Sequence, residues 1–159
     1  MRHRADPGCN DVGEIVWAAL DRCLPALGER AIDFDVPDDL PLACVDPGLL
    51  DEALVALFEN VATHTPAGSP VWIQGRPAGS DVRLTISDAG PGIPPHDLER
   101  IFDKYERIDG RGQGLGLGLA IARAAVRAQG GDVWAESSSH GGARFVVLLP
   151  GVLDRGARA

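Results

Sequence analysis

Glycine occupies every second position from residue 112 to residue 118, in the run GQGLGLGLAIA, and the chain then continues into a helix-forming segment. Glycine destabilises a helix interior by about 1 kcal/mol relative to alanine, so this run at a helix start needs another explanation. A glycine-rich loop before a helix presents free backbone N–H groups at the positive end of the helix dipole, which suits a phosphate group. The run therefore indicates either a phosphate-binding loop or a flexible, closely packed connection.

Two common phosphate-binding motifs do not fit this glycine run. The P-loop pattern needs Gly-Lys-Ser/Thr, and Lys104 is the single lysine of the chain. The dinucleotide fingerprint GxGxxG fails in every register, because its third glycine falls on Leu115, Leu117, Leu119 or Ile121. The loop is therefore neither a P-loop nor a dinucleotide-binding turn.

A second cluster of glycines lies upstream, in the segment DAGPG of residues 88–92. Asp88 ends an alternating apolar segment, so its carboxylate at a strand end can accept a hydrogen bond from an exocyclic amine. Gly90 and Gly92 would let a flat ring lie against the backbone. A simple turn without a ligand is the alternative interpretation of this segment alone.

A third polar feature is Asn60, at the edge of the apolar stripe of a helix predicted for residues 47–63. Thr63 and His64 follow three and four residues later and share its face. A neutral amide oxygen suits Mg²⁺, which takes oxygen ligands and keeps several waters. Such a residue alone is usually a solvated helix edge, and the combination with the two glycine clusters favours a site.

The order of predicted elements must position these residues. The helix at 47–63 begins with Asp46 as N-cap and Pro47 at the first helical position. The order αβαββ, long loop, αββ predicts a mixed sheet with helices on one face, which is a two-layer α/β sandwich. The further predicted elements are helices at 12–27, 95–102 (short) and about 115–129, and strands at 31–36, 71–76, 81–88, 132–137 and 143–150.

Composition limits the function classes. The 159 residues are 45% hydrophobic with a net charge of −8, which predicts one folded domain at 12–150 between a flexible segment at 1–11 and a frayed tail at 151–159. The acidic balance disfavours nucleic-acid binding. There is neither an apolar run of membrane-spanning length nor a signal-peptide core, so we expect a cytoplasmic domain. The three cysteines, without CxxC spacing, favour reduced thiols.

Taken in this order, four segments resemble the ATP-binding catalytic domain of sensor histidine kinases, the fold shared with gyrase, Hsp90 and MutL. LFENVATHTP resembles its N box, DAGPGIP its G1 box, IFDKYER its F box and GLGLGLAIA its G2 box. The resemblance covers about residues 12–150. The segments LPLACVD, HTPAGSPVWI and GPGIPPHDLERIFDKYER are most similar to potassium-responsive sensor kinases of the KdpD type.

The resemblance implies ATP and Mg²⁺ as cofactors and a role for each matching residue. Asn60 would ligate the Mg²⁺ that bridges the phosphates, and Asp88 would accept from the adenine amino group. Glu59 is adjacent to Asn60 but points elsewhere on the helix, and it is either a solvated or salt-bridged carboxylate or a group that assists phosphoryl transfer. Phe102 and Tyr105 would anchor a lid over the nucleotide. The remaining implied nucleotide contacts are Thr63, His64, Gly90, Gly92, Ile93, Lys104, Arg107, Gly114, Gly116, Leu117 and Gly118.

Three positions depart from the usual N box. Thr63 stands where the family has Lys or Arg, His64 where it has Tyr, and Ala56 where it often has a second Asn. The missing charged contact would weaken phosphate binding by about 1.5–3 kcal/mol. The ATPases of this fold carry a glutamate at the position of Ala56, and alanine cannot act as a general base, so gyrase-like hydrolysis is disfavoured.

None of the four histidines lies in the H-E/D-x-x-T/N-P context of a phosphoacceptor. The resemblance therefore implies that the phosphoacceptor belongs to a separate dimerisation and histidine-phosphotransfer domain, with a response regulator downstream. The chain would then be the cytoplasmic catalytic portion of a sensor kinase, which can be membrane-anchored. Two alternatives remain open: a non-catalytic docking or regulatory domain with weak nucleotide binding, and an anti-sigma-type serine kinase.

Overall fold

The computed structural model describes residues 8–103 and 117–151. In this part of the chain a five-stranded sheet is covered on one face by a layer of helices. The α-helices are α1 (Val12–Leu27), α2 (Pro47–His64) and α3 (Gly118–Ala128). The strands are β1 (Cys9–Asn10), β2 (Ile32–Asp35), β3 (Ala43–Cys44), β4 (Val71–Ala78), β5 (Asp81–Asp88), β6 (Asp132–Ser137) and β7 (Ala143–Leu149).

The sheet has the strand order β2-β4-β5-β7-β6. The pair β2–β4 is parallel and the other three pairs are antiparallel. The parallel pair follows from the crossover through α2, since parallel neighbours need a long connection and antiparallel neighbours need only a short turn. The prediction of a mixed α/β sandwich with helices on one face is therefore confirmed.

The central helix α2 begins as its sequence predicts. The Asp46 side chain accepts hydrogen bonds from the N–H groups of Gly48 and Leu49 at 2.8 and 3.1 Å, and Pro47 occupies the first helical position, where no N–H is needed. Leu57 and Phe58, just past the middle of α2, are fully buried. Because these side chains face the core, a ligand can contact α2 only on its other faces.

Strand β5 positions the acidic residue of the site. Val82, Leu84 and Ile86 alternate along the strand and are buried under the helices. Because side chains in a strand alternate between the two faces, Asp88 continues this inward row and its carboxylate faces the helix layer. Ser87 belongs to the opposite, open face of the sheet.

Two segments differ from the prediction. The short helix predicted at 95–102 is instead a pair of 3₁₀ turns, Pro95–Asp97 and Arg100–Phe102. Their backbone hydrogen bonds span three residues, from the Leu98 N–H to the Pro95 carbonyl and from the Phe102 N–H to the Glu99 carbonyl, which is common in short helical pieces. The segment expected to be flexible contributes Cys9–Asn10 to a two-stranded ladder with Ala43–Cys44, which the sequence did not predict.

Asn10 ties this ladder to the domain, because its amide donates to the Val45 carbonyl at 2.7 Å. Ala43 of the same ladder also forms a bridge with buried Gly151. Residues 152–159, most of the predicted tail, lie outside the described residues, as do 1–7. The helix predicted from about residue 115 is described from Gly118 onward.

Candidate functional site

The start of α3 lies against the middle of α2. A Cβ on Gly118 would be 3.9 Å from the Cβ of Ala56, so the two helices approach closely at this point. Leu117 precedes the helix and provides no side-chain cap, so among the described residues the N–H groups of the first turn have no side-chain acceptor. Such a helix start is suited to an anion.

Asn60 lies one helical turn after Ala56 on α2 and is half-buried. Its side-chain amide makes no hydrogen bond to another described residue. Within residues 8–103 and 117–151 no cluster of three or more His, Cys, Asp or Glu side chains is arranged to hold a metal ion. The amide oxygen of Asn60 is therefore available to a ligand, and amide oxygens are among the ligands that Mg²⁺ takes in proteins.

Asp88 is 4% exposed at the end of β5. Its Oδ1 accepts hydrogen bonds from the backbone N–H groups of Gly90 and Ala143, at 2.9 and 3.1 Å. Within the described part of the chain Oδ2 has no donor. A buried carboxylate with one oxygen held and the other without a partner fits a ligand that brings its own N–H donor, such as an exocyclic amine.

Gly90 holds the loop after β5 against the end of α2. A Cβ at this position would lie 2.9 Å from Thr65 Cγ2 and 3.4 Å from the His64 carbonyl oxygen, so a side chain there would push the loop away. Arg30 fixes the same helix end, because its guanidinium donates to the carbonyl oxygens of Thr65 and Ala62 at 2.8 and 3.2 Å. Nothing local in the sequence around Arg30 signals this role.

Gly92 has a φ of +77°, which favours glycine, and packs against the turn before β7. A Cβ at Gly92 would lie 3.6 and 3.7 Å from the carbonyl oxygens of Gly141 and Gly142. Ile93 follows and packs partly buried against the core. Protein atoms therefore lie on the Cβ side of Gly90 and Gly92, the two glycines predicted to contact a ring. A ring would have to meet their backbone atoms from the other side.

Phe102 is 6% exposed and lies edge-on to Phe145, with 6.4 Å between the ring centroids. The guanidinium of Arg123 on α3 lies 4.5 Å above the Phe102 ring and pairs with Glu99 at 2.6 Å. The predicted anchor is therefore fastened to both the sheet and α3, through an arginine that sequence reasoning missed. Among the other predicted contacts, Lys104, Tyr105, Arg107, Gly114 and Gly116 lie outside the described residues.

Glu59 lines a cavity of about 380 Å³ between α1 and α2, together with Cys23 and the Arg22–Asp51 ion pair. Burial, and then the charge of Glu59, raises the pKa of the Cys23 thiol. This cavity lies on the α1 side of α2, whereas the contact with α3 is made by Ala56, and the phosphoryl-transfer role of Glu59 stays a prediction.

The two remaining N-box positions, Thr63 and His64, are exposed at the end of α2. The structure brings them together with Asn60 on the part of α2 that runs toward the Gly90 loop. Asn60, Asp88 and Gly118 therefore come from three segments that meet along one side of α2. In the sequence, Asp88 lies 28 positions after Asn60, and Gly118 lies 30 positions after Asp88.

The site thus combines a buried carboxylate at the end of β5 with a helix that begins at a glycine, within a two-layer α/β sandwich. Residues 45–152 match the family described as "Histidine kinase-, DNA gyrase B-, and HSP90-like ATPase". The chain belongs to this family.

Two relatives illustrate the similarity. The adaptive-response sensory kinase SasA of Trichormus variabilis is 36% identical over 140 residues, which cover 80% of this chain and 35% of that protein. The sensor protein KdpD of Escherichia coli is 37% identical over 139 residues, which cover 86% of this chain and 15% of that protein. The chain thus spans about a third or less of the length of these relatives.

Among solved structures, the mycobacterial sensor histidine kinase MprB superposes with a TM-score of 0.76 at 27% identity, over 91% of this chain and 97% of that one. The prediction that this chain is an ATP-binding domain of the sensor histidine kinase type is confirmed. In the part of the chain that the structure describes, we find no helix with the length and apolar character needed to cross a membrane.

Proposed function

We propose that this chain binds Mg-ATP and transfers the γ-phosphoryl group to a histidine on a separate phosphoacceptor domain of a sensor kinase. The observation that carries the proposal is the buried Asp88 carboxylate, which keeps Oδ1 on two backbone N–H groups and leaves Oδ2 for a ligand. A carboxylate in this position selects a base that carries an amino group, which is the feature that separates adenine from guanine at that edge.

In this proposal the site residues of the chain bind or orient the nucleotide. Asp88 accepts from the adenine amino group, and the first-turn N–H groups of α3, beginning at Gly118, bind phosphate oxygens. Asn60 supplies an amide oxygen to Mg²⁺. The bound Mg²⁺ neutralises charge on the phosphates, as in other phosphoryl transfers. Positioning of the phosphate chain for in-line attack by an imidazole is then the main contribution of the protein.

The partner and the setting are the finer part of the proposal. The relatives are longer than the region they share with this chain, which supports a phosphoacceptor domain and a response regulator outside it. The segments LPLACVD and HTPAGSPVWI favour a KdpD-like kinase over a SasA-like one, although the two show similar identity. We propose a cytoplasmic position for this domain within such a kinase.

A regulatory or docking domain with weak nucleotide binding is the second candidate. It is favoured by exposed Thr63, which offers no positive charge to the phosphates, and by Ala56 at the contact with Gly118. The affinity for nucleotide distinguishes the two candidates directly. Tight binding of nucleotide would show that the site works even with Thr63 and Ala56, and would favour the first candidate.

The test is calorimetric titration of ADP and ATP, with Mg²⁺ and with a chelator, on the wild type, Asn60→Ala and Asp88→Ala. We expect micromolar binding, a loss of about tenfold or more for Asp88→Ala with either nucleotide, and a loss for Asn60→Ala that depends on Mg²⁺. Gln74→Ala, an exposed residue on the open face of the sheet, is the matched control and should bind as the wild type does.

A phosphotransfer assay completes the test. The chain is incubated with labelled ATP and separate phosphoacceptor domains of the KdpD and SasA types, and the product is checked for the acid lability of phosphohistidine. Labelling of the KdpD-type domain alone supports the whole proposal. Absence of binding at millimolar nucleotide would replace the catalytic proposal by the docking one, and an acid-stable product would indicate a serine kinase.

A further inference from the structure

The turn between β6 and β7, residues 138–142, has its own internal hydrogen bonds. The Ser138 N–H donates to the Gly142 carbonyl at 2.8 Å, and the Gly141 N–H donates back to the Ser138 carbonyl at 3.1 Å. At the tip, the His140 N–H donates to Ser138 Oγ at 3.0 Å. Gly141, with a φ of +93°, completes the reversal. The turn is therefore a small ordered unit that moves as one piece.

This turn packs on Asp88. The residue that follows it, Ala143, donates its N–H to Asp88 Oδ1, and Gly142 lies so close that a Cβ there would come within 3.0 Å of both Asp88 Oδ1 and the Asp88 carbonyl oxygen. One of the two donors that hold the carboxylate thus belongs to the turn. The orientation of Oδ2 depends on where the turn lies.

His140 fastens the tip of the turn to a different strand. Its imidazole lies parallel to the Trp72 indole, with 3.6 Å between the ring centroids and 8° between the planes. Trp72 belongs to β4, and the turn leads into β7, which pairs with the opposite side of β5. The turn therefore crosses the end of β5, held by β7 on one side and by the ring stack on the other.

Arg144 supports the base of the same turn. Its guanidinium donates to Ser139 Oγ at 3.1 Å and to Ser87 Oγ and Glu136 Oε1 at 3.3 Å. These contacts hold the end of the turn that leads into β7. Within the described residues, the stack of His140 on Trp72 is the contact that holds the far side, over β4.

We infer that His140 is a positioning residue for Asp88 and thereby sets how strongly the site selects a base with an exocyclic amino group. The inference rests on the proposed function, since it concerns the same nucleotide site. When the ring stack is removed, the turn loses its hold on β4, and Ala143 N–H and the Gly142 backbone no longer fix Oδ1. Asp88 then points Oδ2 toward the base for a smaller fraction of the time.

The test compares binding of ADP and IDP, which differ at the amino group that Asp88 would accept from. An aromatic contact of this kind supports a change of about two- to tenfold. We expect His140→Ala to lower the preference for ADP over IDP by that factor, with IDP affinity unchanged. His140→Phe keeps a ring over the indole and should restore the wild-type preference. Trp72→Leu removes the stack from the other partner and should reproduce the effect of His140→Ala.

Asp88→Ala, measured in parallel, distinguishes a failure of the proposed function from a failure of the positioning role of His140. If Asp88→Ala binds ADP as tightly as the wild type, the proposed function is wrong at this residue, and the inference about His140 is overturned with it. If Asp88→Ala abolishes the preference while His140→Ala and Trp72→Leu retain it in full, the proposed function stands and the positioning role is refuted. Circular dichroism of each variant verifies that the comparison is made on folded protein.

Discussion

Replacing Gly142 by alanine should disable the Asp88 end of the site. The new Cβ would lie within 3.0 Å of Asp88 Oδ1 and of the Asp88 carbonyl oxygen, a separation that real Cβ atoms do not show. Neither atom can yield easily, because Oδ1 is held by two N–H groups and the carbonyl belongs to the backbone of β5. The turn must therefore move away and give up the hydrogen bond from Ala143.

The size of the effect follows from that hydrogen bond. Its acceptor is a buried carboxylate, 4% exposed, and a hydrogen bond to a charged group contributes about 1.5–3 kcal/mol. For a domain of this length the melting temperature should fall by about 3–12 °C. If the same contact orients Oδ2 for the base, the affinity for ADP should fall by about 10- to 100-fold.

Gly141→Ala is the matched control, one residue away in the same turn. No heavy atom lies within 4 Å of its Cβ position, but its φ of +93° makes any side chain strained, by about 1–2 kcal/mol. Differential scanning calorimetry and ADP titration of both variants therefore separate strain in the turn from contact with Asp88. The reasoning is refuted if Gly142→Ala binds ADP as well as Gly141→Ala does.

Three further predictions follow from contacts away from the base. Arg30→Met removes hydrogen bonds to the end of α2, among them the one to the Thr65 carbonyl, and should lower the free energy of unfolding by about 2–3 kcal/mol in denaturant titrations; an unchanged midpoint contradicts this. For Asp132, burial alone would raise the pKa, but the Arg127 guanidinium and other donors lower it overall, so Asp132→Asn should destabilise the protein by about 0.5–1 kcal/mol at pH 7. The difference should begin to shrink near the ordinary aspartate pKa of about 3.9 and vanish as the pH falls through the lowered pKa of the folded state, and pH-dependent denaturant titrations measure it. Burial, and to a smaller extent the charge of Glu59, raises the pKa of the Cys23 thiol. A thiol reagent at pH 7 should therefore modify Cys23 slowly in the folded protein and rapidly in denaturant.

Local signals predicted the elements well where the cause is local. Asp46 and Pro47 mark the start of α2 because the cap and the missing donor act within one turn of helix. Asp88 was predicted as a ligand-facing residue from its place at the end of an alternating strand, and the structure turns its carboxylate inward as the alternation requires. The segment 95–102 forms two 3₁₀ turns in place of the predicted short helix, a distinction that so short a sequence does not carry.

The supports of the site were not predictable, because each joins residues that are distant in the chain. Arg30 caps a helix end 35 residues later, and Ala143 donates to Asp88 across 55 residues. Arg123 covers Phe102 from another helix. No periodicity or motif encodes such pairs, since backbone donors and single arginines occur everywhere. Only the packing of the helix layer on the sheet brings them together.

The glycines show why a motif does not reveal which group approaches the backbone. Gly90 and Gly92 were interpreted as room for a flat ring, whereas their Cβ positions face Thr65 and the turn at Gly141 and Gly142. A glycine in a sequence indicates that something approaches the backbone, but its identity depends on chain segments far away. For Gly90 and Gly92 the approaching groups that the described residues supply belong to the protein itself, and Gly142 of the same turn packs directly on Asp88. A substitution at these glycines should therefore impair nucleotide binding through the position of Asp88, even where the new side chain never touches the nucleotide.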